Sequence, residues 1–509
     1  MNSRIRIAGT VALAFVLSGP AFGQDGSADR KALDARVRAL EATQQETTKA
    51  LAALRQAVAA SGPASGQPDL KQRLDALEKQ LAETNAALEA LRKDVGAAPP
   101  VPRTTGPVEA PGLTPLDLGP SGSTGQVSSG TSFNPAISVI PEGLYYADDR
   151  SGNAVGMFGN ADGFAGTPVG EGRDLSRGFN LGETELTFSG AVDPYFDVTA
   201  IASFAPDGVS IEEAYGRTRK LPAGLSVKLG KFYSEVGYAN KQHPHQWDFV
   251  DQNLPYEILL GGGLNDVGVQ VAWLPKAPVY LLLGAEAFQG DNAGVANVLG
   301  SGANPAFSSK AGPRLFTGFA KVSPDVGYSD ALQVGLFGGR SSLHQEETAT
   351  QGLEGTAWFA GTDWVFKHDS PEPFGKNDLV LQAEYVYRVK NLDRVVSGDP
   401  ATVGKPSNAR QDGFYLQGTW GFAPRFTVSG RYDAVGAFVN VVDQGDLGRS
   451  DYEASRRLSA ALTWNPTEFS RLRAQYSHGD AAVGGVREPF HQFFLQYQLS
   501  LGVHGAHKF

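Results

Sequence analysis

From Asn134 onward the chain is a succession of short segments in which apolar and polar residues alternate one by one. Leu379, Leu381, Ala383, Tyr385, Tyr387 and Val389 occupy one phase, and Gln382, Glu384, Arg388 and Lys390 the other. A period of two places such sets on opposite faces of a strand. Phe426, Val428, Gly430 and Tyr432 repeat the pattern against Arg425, Thr427, Ser429 and Arg431. The pattern predicts 16 strands, the first near 136–146, joined alternately by short and long connections. The short ones fall near 191–194, 221–223, 275–278, 323–328, 368–376, 422–424 and 465–467. The long ones fall near 148–179, 233–262, 290–313, 340–353, 390–410, 436–452 and 479–488. Pro206-Asp207-Gly208 departs from the rule, being a tight turn where a long loop is due. In a bilayer only a closed sheet satisfies every strand's backbone, and such barrels carry turns on one side and loops on the other. The expected fold is an all-β transmembrane barrel of antiparallel strands over 136–509, apolar phase to lipid and polar phase to water. A soluble sandwich also alternates, but it has no use for a polar interior or for residues such as Trp464 and Tyr476 at interfacial girdles.

The N-terminal quarter has a different rhythm. Arg4 and Arg6 precede an apolar run from Ile7 to Leu17 and a small-residue site at Ala21-Phe22-Gly23, which reads as a secretory leader over 1–23. Within 27–95, Leu33, Val37, Leu40, Gln44, Thr47, Leu51, Leu54 and Val58 follow a 4-3 spacing. Leu70, Leu74, Leu77, Leu81, Thr84, Leu88, Leu91 and Val95 follow a second. These predict an α-helical coiled coil in two segments, broken by Ser61-Gly62-Pro63, either as a hairpin or as a parallel bundle. Residues 96–135 are rich in Pro, Gly, Ser and Thr and read as a tether. An even strand number puts both barrel termini, and with them the coiled coil, on the periplasmic side.

Composition narrows the chemistry. The 509 residues include no cysteine, which excludes thiolate metal sites and thiol nucleophiles, and the net charge of −10 disfavours nucleic acid as a partner. No serine, histidine and carboxylate grouping has a recognisable catalytic spacing, so an enzyme is not expected. Candidate chemistry lies in the third external loop, 233–262, the turn at 206–208 counting as the second, which carries Glu235, Asp248, Asp251 and Glu257 as acids able to line a pore constriction. In the same loop, His243 and His245 flank Pro244, and an extended backbone places both imidazoles on one side, where Asp248 or Asp251 completes a metal set such as zinc. The competing reading has both histidines bonding the loop's own backbone. His504 and His507 form a weaker metal pair.

Arg425, Arg431, Arg457, Arg471 and Arg473 fall on the predicted water-facing phase of three consecutive strands. They form either a basic pore wall facing the loop's acids or a set of braces paired to neighbours such as Glu453 and Asp433. The last strand keeps Phe493, Leu495, Tyr497, Leu499, Leu501 and Val503 in one phase, and continuing it leaves the terminal Phe509 on the lipid side. A terminal aromatic in that phase resembles the signal read by the barrel-assembly machinery.

The stretches Gly182-Glu183-Thr184-Glu185-Leu186, Val192-Asp193-Pro194-Tyr195-Phe196, Ile211-Glu212-Glu213-Ala214-Tyr215 and Lys228-Leu229-Gly230-Lys231-Phe232 resemble the early strands of the phosphate-selective porin superfamily. That resemblance implies a trimeric 16-stranded channel with an arginine ladder for oxyanions. The family's lysine cluster has no counterpart here, so phosphate is not carried over. Asn240 to Gly261 and the ending His504-Gly505-Ala506-His507-Lys508-Phe509 are more similar to a group labelled zinc-regulated TonB-dependent outer-membrane receptors. That label implies a 22-stranded barrel with an N-terminal plug, where this chain has heptads and a tether. The expectation is a passive outer-membrane channel for small hydrophilic solutes or ions, a homotrimer with its third loop setting the constriction. A metal-uptake receptor and a structural link between outer membrane and envelope are the alternatives.

Overall fold

The computed structural model describes residues 135–502 apart from 151–153, 155, 165–174, 206–207, 301–303 and 349. The leader, both heptad segments, nearly all of the tether, and His504, His507 and Phe509 lie outside the described residues.

Among the described residues, twenty-one strand segments form one sheet. The first seven are β1 (Ala136–Ile140), β2 (Glu142–Asp148), β3 (Gly178–Leu181), β4 (Thr184–Ala191), β5 (Phe196–Ala205), β6 (Gly208–Thr218) and β7 (Leu225–Tyr233). Then come β8 (Asn265–Trp273), β9 (Tyr280–Phe288), β10 (Leu315–Ser323), β11 (Asp330–Ser341), β12 (His344–Glu347), β13 (Gln351–His368) and β14 (Leu379–Ser397). The last are β15 (Asn408–Ala423), β16 (Phe426–Asp443), β17 (Arg449–Asp451), β18 (Ser455–Thr467), β19 (Ser470–Val483), β20 (Val486–Leu499) and β21 (Leu501–Gly502). Neighbours pair antiparallel, β1 pairs with both β4 and β21, and β2 pairs with both β3 and β20. The arrangement matches a β-barrel, and among the described residues no helix is long and apolar enough to cross a membrane.

The segment count exceeds the 16 expected, because local breaks in the hydrogen-bond ladder divide strands that alternation alone reads as continuous. Pro141, which has no N–H to give a ladder, separates β1 from β2. At Gly182 the backbone N–H turns to the Glu142 carbonyl at 2.9 Å, and a Cβ there would stand 2.6 Å from the Glu142 carboxylate. Irregular residues also separate β11 from β12, β17 from β18 and β20 from β21. Where Pro206-Asp207-Gly208 is predicted as a tight turn, Ala205 pairs directly with Gly208.

The two faces are inverted relative to a soluble protein. Leu381, Leu416, Leu458, Leu462, Leu495 and Leu499 are exposed. Their strand neighbours Gln382, Glu384, Ser459, Thr463, Gln496 and Gln498 are buried. An apolar outer face of this extent is unstable in water and fits the hydrocarbon of a bilayer. Trp420, Phe422, Phe426 and Trp464 cluster on that face beside the short turns, with Phe426 and Trp464 stacked at 5.9 Å. Aromatic side chains are enriched at this level of a membrane because one edge is apolar and the other wet. β13 and β14, of 18 and 19 residues, exceed the roughly 11 needed to cross and extend past the apolar band.

Candidate functional site

The connection between β7 and β8, residues 234–264, folds over the buried polar face. Its geometry is set locally by Asn240, whose amide donates to the carbonyls of Ser234 and Leu264 at 2.8 and 3.0 Å and whose oxygen accepts from the Leu264 N–H at 2.7 Å. That clamp closes the loop's neck. Pro244 starts one short helical turn and Pro255 another, a π-type turn over Pro255–Leu259, each using proline where an N–H is not needed. Leu254, Tyr256, Ile258 and Leu259 are fully buried with Phe288, Phe337, Phe359, Tyr415 and Val435 of the sheet. Each such side chain contributes about 1.5–3 kcal/mol to holding the loop down.

Polar contacts fix the rest of the loop to strands far apart in sequence. Glu384 of β14 accepts the N–H groups of Tyr238 and Ala239 at 3.2 and 2.8 Å and the hydroxyls of Tyr256 and Tyr415 at 2.7 and 2.6 Å. Arg388 of β14 donates to the Leu259 carbonyl at 2.9 Å. On the opposite flank Val250 donates to Gln475 of β19 at 2.6 Å and packs against Leu144, Tyr146 and Phe494 of β2 and β20.

The four loop acids go to different places. Glu235 is paired with Lys241 and, at 2.9 Å, with Lys321 of β10, whose ammonium also donates to the Gly237 carbonyl at 2.8 Å. Burial opposes ionisation of Glu235, but the two lysines outweigh it and hold the carboxyl well below its ordinary range. Burial brings Lys241 down to about 8, with Glu235 opposing the shift. Asp248 accepts from Gln417 at 2.7 Å. Asp251 meets Arg431 at 2.6 Å, Arg457 at 2.9 Å and Gln475 at 2.9 Å. Burial works against its charge, yet Arg457 and Arg431 bring it down to about 2. Glu257 lies 3.9 Å from Arg457. Burial, assisted by repulsion from Asp251 and Asp433 and opposed by Arg457, pushes it up to about 7.

Four of the predicted arginines descend one side of the sheet. The register sets Arg457 opposite Asp433, Arg431 opposite Ser459 and Arg473 opposite Thr463, with Arg471 one step nearer the short turns. Arg431 and Arg457 both pair with Asp433, as the bracing alternative expects, and both also reach Asp251. Arg471 and Arg473 donate to the loop carbonyls of His245 and Trp247 at 2.8 and 2.7 Å. They hold the loop directly rather than facing it across a gap. Arg425 stands apart from these four. It lies in the turn before β16 with φ 68°, donates to the Pro466 carbonyl and caps the Phe374 ring at 4.4 Å, so it belongs to the short-turn end and not to the buried face.

His243 and His245 meet neither Asp248 nor Asp251. Their rings stack at 5.8 Å beneath Glu185 of β4 and Glu212 and Glu213 of β6. The loop's own direction explains the correction: Pro244 sends the imidazoles toward the early strands, whereas the chain after Trp247 turns to the late ones. Strand-by-strand reading places Glu384 in the water phase but connects neither it nor these three wall glutamates with the loop. Alternation alone puts only one of Glu212 and Glu213 in the water phase; a register shift opposite Ile201 and Ala202 leaves Glu212 as an extra residue of β6, and both carboxylates reach His243. A cavity of about 20 Å³, room for roughly one water, lies between the loop and the wall, lined by Trp247, Asp248, Asp251, Gln382, Gln417 and Arg431.

No protein-family model matches the chain. It belongs to the same family as an uncharacterized protein of Aquifex aeolicus (strain VF5), with 35% identity over 346 residues that cover 65% of this chain and 70% of that one. In structure it is similar to the outer membrane channel DcaP of Acinetobacter baumannii, with 15% identity, 72% of this chain and 96% of that one covered, and a TM-score of 0.46. It is also similar to OmpT, an outer membrane protein of Vibrio cholerae in trimer form, with 10% identity, 72% and 99% covered, and a TM-score of 0.44. A third is the anion-selective porin from Comamonas acidovorans, with 9% identity, 72% and 99% covered, and a TM-score of 0.41.

Proposed function

We propose that the chain is a bacterial outer-membrane channel for passive diffusion of small hydrophilic solutes or ions, whose third external loop crosses the lumen and sets the constriction. The observation that carries this reading is the inversion of faces, apolar outside and charged or amide inside, with one loop fastened across the charged face. Joining the segments that are collinear across the five interruptions gives 16 strands, and the pairing of the first with the last supports a closed barrel. Sixteen strands leave an aqueous lumen unless something fills it, and here residues 234–264 do so. Glu235, Asp248, Asp251 and Glu257 with Arg431, Arg457, Arg471 and Arg473 make up the charged lining, and Arg425 marks the periplasmic rim. The homotrimer, the periplasmic coiled coil and the assembly role of Phe509 complete the proposal.

Liposome swelling by the purified mature protein tests the function. Salts and the smallest polyols are expected to cause swelling, with a steep cutoff below the sugars. Swelling by none of them, under conditions where the barrel is folded, contradicts a channel and leaves the receptor or the structural link.

A further inference from the structure

We propose that His243 and His245, together with Glu185 and Glu212, form a site for a divalent first-row transition ion that fastens the third loop to the early strands. The five side chains converge from three elements: both histidines from the loop, Glu185 from β4, and Glu212 and Glu213 from β6. All five are nine-tenths or more buried. His243 Nδ1 is 2.7 Å from Glu212 and 3.3 Å from Glu185, and its Nε2 is 3.5 Å from Glu213. His245 Nδ1 is 2.9 Å from the same Glu185 oxygen that faces His243. One ligand atom each from Glu185, Glu212 and His243 lie within 4.8 Å of one another. Ligands on a tetrahedral ion sit roughly 3.3 Å apart, so small side-chain shifts complete the site.

The charge of the cluster favours a cation: three carboxylates face two imidazoles in a buried space, and a divalent ion offsets the excess negative charge. The donors are also oriented from behind. Thr187 donates to the second Glu185 oxygen at 2.9 Å, and the Tyr233 N–H donates to Glu213 at 2.9 Å. Outer bonds of this kind fix ligand geometry. Two imidazoles among carboxylates suit zinc, cobalt or their neighbours, whereas calcium and magnesium take oxygen throughout. The site stands independently of transport.

The test is calorimetric zinc titration of the full mature chain folded in detergent, with cobalt(II) absorption on the same samples. One ion per chain is expected, with affinity falling about a hundredfold in His243→Ala and at least about tenfold in Glu212→Gln. His368→Ala, which alters an exposed histidine beside a short turn, is expected to bind as the parent does. If His243→Ala does not fold, His245→Gln takes its place, and the cobalt bands of the parent must report nitrogen ligation. Absence of stoichiometric binding overturns the proposal, as does undiminished binding in both His243→Ala and Glu212→Gln. Loss of binding on removing the tail after Gly502 assigns the ion to His504 and His507 and equally overturns it. Zinc binding by a folded chain that carries no current leaves the site in place and counts against the channel reading alone.

Discussion

Asp251→Ala is expected to release the far half of the third loop. The substitution removes contacts to Arg431, Arg457 and Gln475 at 2.6, 2.9 and 2.9 Å and leaves two arginines buried with one full partner, Asp433. Breaking a buried pair by removing one member costs about 3–5 kcal/mol, because the surviving charge stays desolvated. The lower end applies here, since Asp433 remains and the Arg431 bond to the backbone carbonyl of residue 251, at 2.9 Å, does not depend on the side chain. The loss falls on loop docking rather than on the sheet, whose ladders are untouched. Chymotryptic cleavage after the buried Phe249 requires that opening, and its rate follows the open population when closing is fast. A docking loss of about 3 kcal/mol raises it about a hundredfold. Asp251→Asn, which keeps the shape and loses the charge, should fall between. Parental cleavage rates in both variants would remove Asp251 as the loop's anchor.

The second large effect is a pH dependence carried by Glu257. Its carboxyl stands at about 7 in the docked loop, against 4.5 ordinarily. A group raised in this way supports docking fully below the ordinary value, and the support disappears as the pH rises through about 7. The difference corresponds to about 3 kcal/mol at alkaline pH, as an order of magnitude for a buried group. Asp251 acts with the opposite sign. Its depressed value of about 2 means that its contribution is present above 3.8 and lost as the pH falls toward 2. Docking is therefore tightest between about pH 3.8 and 4.5, where Asp251 is already ionised and Glu257 still protonated in both states, and it weakens from 4.5 to about 7. Current through the proposed channel is expected to rise between about pH 4.5 and 7 and to level off above 7, and Glu257→Gln to flatten that rise while sparing the acid limb. An unchanged alkaline limb in Glu257→Gln would place the titrating group elsewhere.

How far the sequence alone reaches can be judged from particular residues. Leu381 and Leu462 outside, with Gln382 and Thr463 inside, follow from a period of two, because strand pleating is a local property. Interruptions at Pro141 and Gly182 escape that reading, since alternation runs on through a break in the ladder. Arg425 shows the same limit. Its phase matches Arg431, but the strand begins one residue later, and a turn residue follows the turn's geometry and not the strand's alternation. The third external loop is legible as a long segment rich in aromatic and acidic residues. Its partners are not. Whether His243 meets Asp248 or Glu212 depends on which strands the closed sheet brings together, 31 residues apart in one case. Asp251 and Arg457 are separated by more than 200 positions, and nothing local encodes that approach.

The most direct measurement is a paired single-channel recording of the mature chain and of a variant in which residues 241–262 are replaced by a short Gly-Ser turn. If the third loop fills the lumen of a channel, the parent conducts in small ohmic steps and the shortened chain in steps on the order of tenfold larger, approaching an open 16-stranded barrel. Equal conductance in the two proteins, or a silent shortened barrel that is nonetheless folded, would contradict a channel whose constriction is this loop.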